Sequence, residues 1–250
     1  MKRATLLLLA LLLTGCGSAG GHVATTADPR GDDPREAGAV TGQVLNALVR
    51  ERPDEIAVTR AGTGSGPVAF HDSAGFEQTV AAFAHDTREQ PVKVVGLPGA
   101  VGFRIAHKQA QASLERWNRD YLRRGAYVFR YVNTQGYSSG RDAILVLPTR
   151  DKWAAVRAAA VSGAGSYGIE TPAVVEWLQK LDSWHPFTIY GVGADFVEGR
   201  FASPPSGQEV VLLARSMYRF DPDIVDQGTG TVEALAGELQ SSGTLYLWWD

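Results

Sequence analysis

One cysteine, Cys16, stands in 250 residues, so no disulfide can close within the chain and the fold has to rest on its apolar core. With 44% apolar residues over about 200 folded positions, such a core is available. Long hydrophobic runs are missing too. The longest, Ala4 to Leu13, falls well short of the roughly 20 residues that span a bilayer as a helix. Positive charge is also scarce. Removing residues 1–15 removes Lys2 and Arg3 and no acidic residue, which leaves 22 basic against 27 acidic side chains, formally −5. That balance carries no nucleic-acid footprint and no polybasic patch for an anionic membrane.

What is present begins at the N-terminus. Lys2 and Arg3 precede the short apolar run, and Leu13-Thr14-Gly15-Cys16 ends it, a sequence that resembles the lipobox of bacterial lipoproteins. The resemblance implies a signal peptide over residues 1–15 and diacylation of Cys16. It further implies a protein held by its lipid anchor at the extracytoplasmic face of a bacterial membrane. Residues 16–39 have no apolar period and read as a flexible tether, whose Asp28, Asp32, Asp33 and Glu36 would be repelled by anionic lipid. A first helix is expected at Val40–Val49, from Val44, Leu45 and Leu48.

Residues 40–141 make the N-terminal part of the globular domain. Ile56–Thr59 and Val92–Val95 read as short strands around a helical stretch at Phe76, Val80 and Phe83. A stronger helix spans His107–Arg124, with Ala110, Leu114, Trp117 and Tyr121 on one buried stripe. Tyr127–Val132 and Ala143–Leu147 read as an antiparallel pair joined by Asn133–Asp142. A helix at Asp151–Val161 follows. Thr171-Pro172 reads as an N-cap with proline at the first helical position, ahead of Val174, Val175, Leu178 and Leu181. Phe187–Val192 is a strand, Glu209–Arg219 and Thr231–Gln240 are helices, and Thr244–Trp249 is the last strand. The fold class is therefore α+β (or α/β), a mixed sheet covered by helices. Because Leu245, Leu247 and Trp249 alternate with Tyr246 and Trp248, the C-terminal strand is expected to lie internal to the sheet. The six tryptophans, Trp117, Trp153, Trp177 and Trp184 among them, are most simply core.

Tyr167-Gly168, Trp177-Leu178, Pro186-Phe187, Pro222-Asp223-Ile224-Val225, Gln227-Gly228 and the ending Leu245-Tyr246-Leu247-Trp248-Trp249-Asp250 resemble the bacterial domain of unknown function 4253 (DUF4253). The resemblance covers roughly residues 142–250. It implies one compact domain at this end of the chain and transfers no activity, ligand or catalytic residue.

Three motifs bear on chemistry. Gly136-Tyr137-Ser138-Ser139-Gly140 matches a nucleophile elbow by letter, but a strand rather than a helix follows it, so a hairpin loop is the better reading of Ser138. Gly163–Gly168 has dinucleotide-fingerprint spacing yet follows a helix, and its expected task is to end that helix and turn the chain. The third motif, Asp221 to Thr231, sets Asp221, Asp223 and Asp226 just ahead of Gln227, Gly228, Thr229 and a helix start. If they converge, these groups suit a ligand, whether a hard cation or an anion at the helix N-terminus; turn and cap roles are the plain alternative. His185, Asp195, Glu198 and Arg200 form a second, looser candidate set around the strand at Phe187. Taken together, the chain reads as a lipid-anchored binding or interaction module with an unknown protein or small-molecule partner and no cofactor. Alternatives are a small hydrolase or metal-assisted enzyme using the Asp221–Asp226 segment, and an immunity-type inhibitor.

Overall fold

Apolar runs buried on both faces drive the central strands of the sheet, and helical periods cover it. The computed structural model describes residues 55–58, 75–132 and 140–250; Cys16, the segment 16–39, the helix expected at Val40–Val49 and Ser138 lie outside the described residues. The chain falls into two units, Met1–Arg50 and Glu51–Asp250, and the elements below belong to the second. They are β1 (Glu55–Ala57), α1 (Phe76–Thr87), β2 (Pro91–Val95), β3 (Val101–Ala106), α2 (His107–Leu122), β4 (Tyr127–Tyr131), β5 (Arg141–Leu147), α3 (Trp153–Ala159), α4 (Ala164–Tyr167), α5 (Thr171–Trp184), β6 (Phe187–Val192), β7 (Phe196–Phe201), α6 (Gly207–Phe220), a π-helical turn (Ile224–Thr229), α7 (Val232–Ser242) and β8 (Thr244–Trp248).

The strands form one mixed sheet in the order β1-β2-β3-β5-β4-β6-β7-β8. β1 runs parallel to β2 and β4 parallel to β6, while the other neighbours are antiparallel. The mixed α+β sheet and the β4–β5 hairpin agree with the pattern of the sequence. On β4 and β5, Phe129, Tyr131, Leu145 and Leu147 enter one core with α3, α5, α6 and α7. Val128, Ile144 and Val146 enter a second core with α1 and α2, since successive side chains point to opposite faces. The α2 stripe of Ala110, Leu114, Trp117 and Tyr121 is buried as its period requires. Phe83 of α1 meets Phe103, Trp117 and Tyr121 edge-on at 4.8–5.3 Å.

Four expectations need correction. The C-terminal strand β8 lies at the edge of the sheet, not inside it. Leu245, Leu247 and Trp249 are buried on the larger core, but Tyr246 is exposed and stacks on Phe196 instead of being covered. Glu198 and Arg200, grouped in the sequence only around the strand at Phe187 with no strand of their own, sit in strand β7, whose alternation of Phe196, Glu198 and Arg200 on one face hid its strand character. Thr171 is not the cap of α5: Glu170 occupies that position and the Thr171 hydroxyl is buried with no hydrogen-bond partner. Finally, Trp184 is 79% exposed rather than core. Thr231, by contrast, caps α7 as expected, its hydroxyl accepting from Ala234 N–H at 3.1 Å.

Candidate functional site

β8 presents alternate N–H groups away from β7, and local side chains meet those of Thr244, Trp248 and the following Asp250. Ser242 Oγ accepts from Thr244 N–H at 3.0 Å, Asp221 Oδ2 from Trp248 N–H at 2.6 Å, and Asp223 Oδ2 from Asp250 N–H at 2.9 Å. Asp221 and Asp223 are both buried. Asp223 also accepts from the Tyr167 hydroxyl at 2.6 Å and from Gln227 Nε2 at 2.9 Å. Burial opposes its ionisation, yet the hydrogen bonds from Asp250 N–H, Tyr167 and Gln227 outweigh that and hold its carboxyl below the ordinary range. The same bond raises the Tyr167 phenol to about 12.

Asp221 behaves in the opposite way. Burial pushes its carboxyl up to about 7, and the charge on Asp223 adds to the rise, against the pull of the Trp248, Ile224 and Asp223 N–H groups. Its Oδ1 makes no hydrogen bond of ordinary geometry. Asp226 is exposed and takes the Tyr218 hydroxyl at 3.0 Å, so the three aspartates do not converge. Gly228 is exposed, while the Thr229 hydroxyl lies against the Ile224 and Thr231 carbonyls. Among the described residues no group of three His, Cys, Asp or Glu could hold a metal ion. Asp221 and Asp223 thus tie the last strand to the turn that follows α6.

The glycine-rich stretch folds over the same corner. α4 sits between Gly163 and Gly168, and the Ser166 hydroxyl bonds the Asp250 carbonyl. Gly163 lies flat against the Trp249 indole, so close that a Cβ there would fall 2.7 Å from the ring. Trp249 in turn meets Phe220 edge-on at 5.7 Å, and Phe220 stacks on Trp177 at 4.5 Å. The stretch turns the chain as the sequence suggested, but it does not end α3, which stops earlier at Ala160 in the left-handed conformation.

The looser candidate set scatters. His185 packs edge-on to Phe201 on the larger core side. Asp195 lies in the β6–β7 turn, where its carbonyl accepts from Trp249 N–H at 3.0 Å and burial raises its carboxyl. Glu198 and Arg200 occupy the opposite face: Glu198 pairs with Arg130, and Arg200 with Glu115 at 2.8 Å. Arg130 also lies 3.9 Å from Asp142, which accepts from His107 Nδ1 at 3.0 Å. His107, Arg130 and Asp142 were not singled out in the sequence, because they come from three elements whose juxtaposition only the sheet register defines.

A groove of 660 Å³ opens between α5 and α6. Trp177, Leu181, Trp184, Leu212 and Leu213 make its apolar wall; Lys180, His185 and Glu209 place polar groups beside them. Trp184 and Leu212 are 79% and 63% exposed. Leu212 was the readable signal: α6 buries Val210, Leu213, Ala214 and Met217, and a leucine two positions from both Val210 and Ala214 falls off that stripe.

The class these features define is an α+β domain with an apolar surface groove and, among the described residues, no assembled metal centre. Residues 143–250 match the family described as "Domain of unknown function (DUF4253)". Of the residues that carried the resemblance, Tyr167 and Asp250 both bond Asp223, and Trp177 and Trp249 both pack on Phe220. No curated protein and no solved structure matches the chain.

Proposed function

We propose that the protein is a binding module, lipid-anchored through Cys16 at the extracytoplasmic face of a bacterial membrane, and that the α5–α6 groove takes a small amphiphilic molecule. The observation that carries this reading is the pair Trp184 and Leu212, large apolar side chains left open to solvent on either side of a concave apolar wall. Size selects the occupant. The groove volume falls within the roughly 300–1,000 Å³ of small-molecule sites. Its ten lining residues are far fewer than the about 20–30 per side of a standard protein interface. The apolar body of the ligand lies on Trp177, Trp184 and Leu212, and its polar head meets Lys180, His185 or Glu209.

The test is a titration with 1-anilinonaphthalene-8-sulfonate, followed by dye fluorescence, with laurate as competitor. The expected result is one saturable micromolar site, displaced by laurate. In Trp184→Ala and Leu212→Glu the affinity falls by about tenfold or more, equivalent to about 1.4 kcal/mol, at unchanged melting temperature. Binding that is absent, or indifferent to both substitutions, overturns the assignment. So does self-association in sedimentation velocity that Leu212→Glu abolishes, which would give the groove to a second copy.

A further inference from the structure

The second face of β7 and β8 belongs to neither core. Phe196, Glu198 and Arg200 alternate with the core residues Val197 and Phe201, and their register partners Trp248, Tyr246 and Thr244 share their face. Among the described residues, α1 and α2 cover the neighbouring strands on this side, and the α2 residue Glu115 reaches β7 through its pair with Arg200. Tyr246 remains 44% exposed, stacked at 6.1 Å on Phe196, with Trp248 half-buried two residues further along the same face.

Next to these rings stands a row of paired charges. Gly191 of β6 lies between Arg130 and Glu198 in register, and a Cβ there would fall 2.8 Å from Glu198 Oε2. Only the missing side chain lets the Glu198 carboxylate cross β6 and meet the Arg130 guanidinium. Arg130 leads to Asp142, and Asp142 fixes His107 through both carboxylate oxygens at 3.0 and 3.1 Å. Arg130 and Glu198 keep 24% and 33% of their side chains accessible.

We propose that this face binds a neutral oligosaccharide. Tyr246, backed by the buried Phe196, and Trp248 supply flat surfaces for the apolar C–H faces of sugar rings, and planar, pre-oriented Arg and carboxylate groups supply donors and acceptors for hydroxyls. Charge selects against other ligands. Arg130 and Arg200 each have a carboxylate partner, so among the described residues these two arginines offer no unpaired cation to neutralise phosphates. An apolar partner would bury these ion pairs without satisfying them, at a desolvation cost. A polyhydroxylated ring satisfies both halves of the surface and needs no net charge.

The experiment uses the full chain with maltohexaose, cellohexaose and chitohexaose as probes, measured by isothermal titration calorimetry. Oligogalacturonate and oligothymidylate serve as charged counterparts. At least one neutral hexasaccharide is expected to bind with a dissociation constant below about 1 mM, a free energy near −4.1 kcal/mol. Trp248→Ala and Tyr246→Ala should each weaken it by about tenfold or more at a melting temperature close to the parent's, whereas Trp184→Ala leaves it unchanged. No binding by any neutral probe, preference for either polyanion, or affinity indifferent to Trp248→Ala and Tyr246→Ala overturns the proposal. Because Trp184 lies in the α5–α6 groove, failure here and failure of the amphiphile site give separate results.

Discussion

A carboxyl group with no solvent contact stays neutral until the gain from ionising exceeds the cost of burying charge, and Asp221 meets that condition only near neutrality. Its folded pKa of about 7 lies above the unfolded value near 3.8. Unfolded Asp221 therefore ionises first as pH rises. The stability associated with the neutral form is complete below about pH 4 and is lost as pH climbs through 7. The gap between the two values corresponds to an upper figure of about 4 kcal/mol at 1.36 kcal/mol per pK unit. Asparagine keeps an acceptor for Trp248 N–H and cannot ionise. Asp221→Asn should therefore flatten the fall in melting temperature between pH 4 and 8 and raise it by several degrees at pH 8, read by calorimetry. Equal slopes in both proteins would show that Asp221 is ionised throughout. Asp223, whose pKa is lowered, works in the other direction: its contribution is present above about pH 4 and is lost only in stronger acid.

At the level of the element, β8 joins two neighbouring tryptophans with opposite roles. Trp249 is buried between Gly163 and Phe220, whereas Trp248 lies on the open face. Trp249→Ala should cost about 3–5 kcal/mol in denaturant unfolding, and Trp248→Ala less than about 1. Similar losses for both would mean that the open face is packed after all. Hydrophobic alternation made this strand legible but not its place, since an aromatic on the outer face reads alike whether a strand, a helix or a ring such as Phe196 lies over it. The α2 stripe was legible because four residues repeat over three turns. β7 was not, because Phe-Val-Glu-Gly-Arg-Phe puts charge and glycine where a strand normally advertises itself. For the candidate site, the Asp221–Thr231 segment was recognisable as special, but chemistry of ligand and chemistry of fold use the same residues. Only the distances from Asp221 and Asp223 to the Trp248 and Asp250 N–H groups separate them. Trp184 misled because it continues the spacing of Leu178 and Leu181 one step past the end of the core.

For the whole molecule, the division after Arg50 separates the segment that carries Cys16 from the unit that carries the sheet. On the proposed anchoring, cells supplied with radiolabelled palmitate should label the full chain, and Cys16→Ala should remove the label while leaving the thermal unfolding of the Glu51–Asp250 unit as it is. Label retained in that variant would refute the anchor. Density matters for any protein held on a surface, where neighbours meet far more often than in free solution. An edge strand of large apolar residues is the place where such crowding starts sheets growing from one molecule into the next. Here Ser242, Asp221 and Asp223 already occupy the outward N–H groups of Thr244, Trp248 and Asp250. A neighbour's strand pairing along the full length of β8 would have to displace both buried aspartates from the Trp248 and Asp250 N–H groups, which under the proposed anchoring favours copies that stand side by side without fusing.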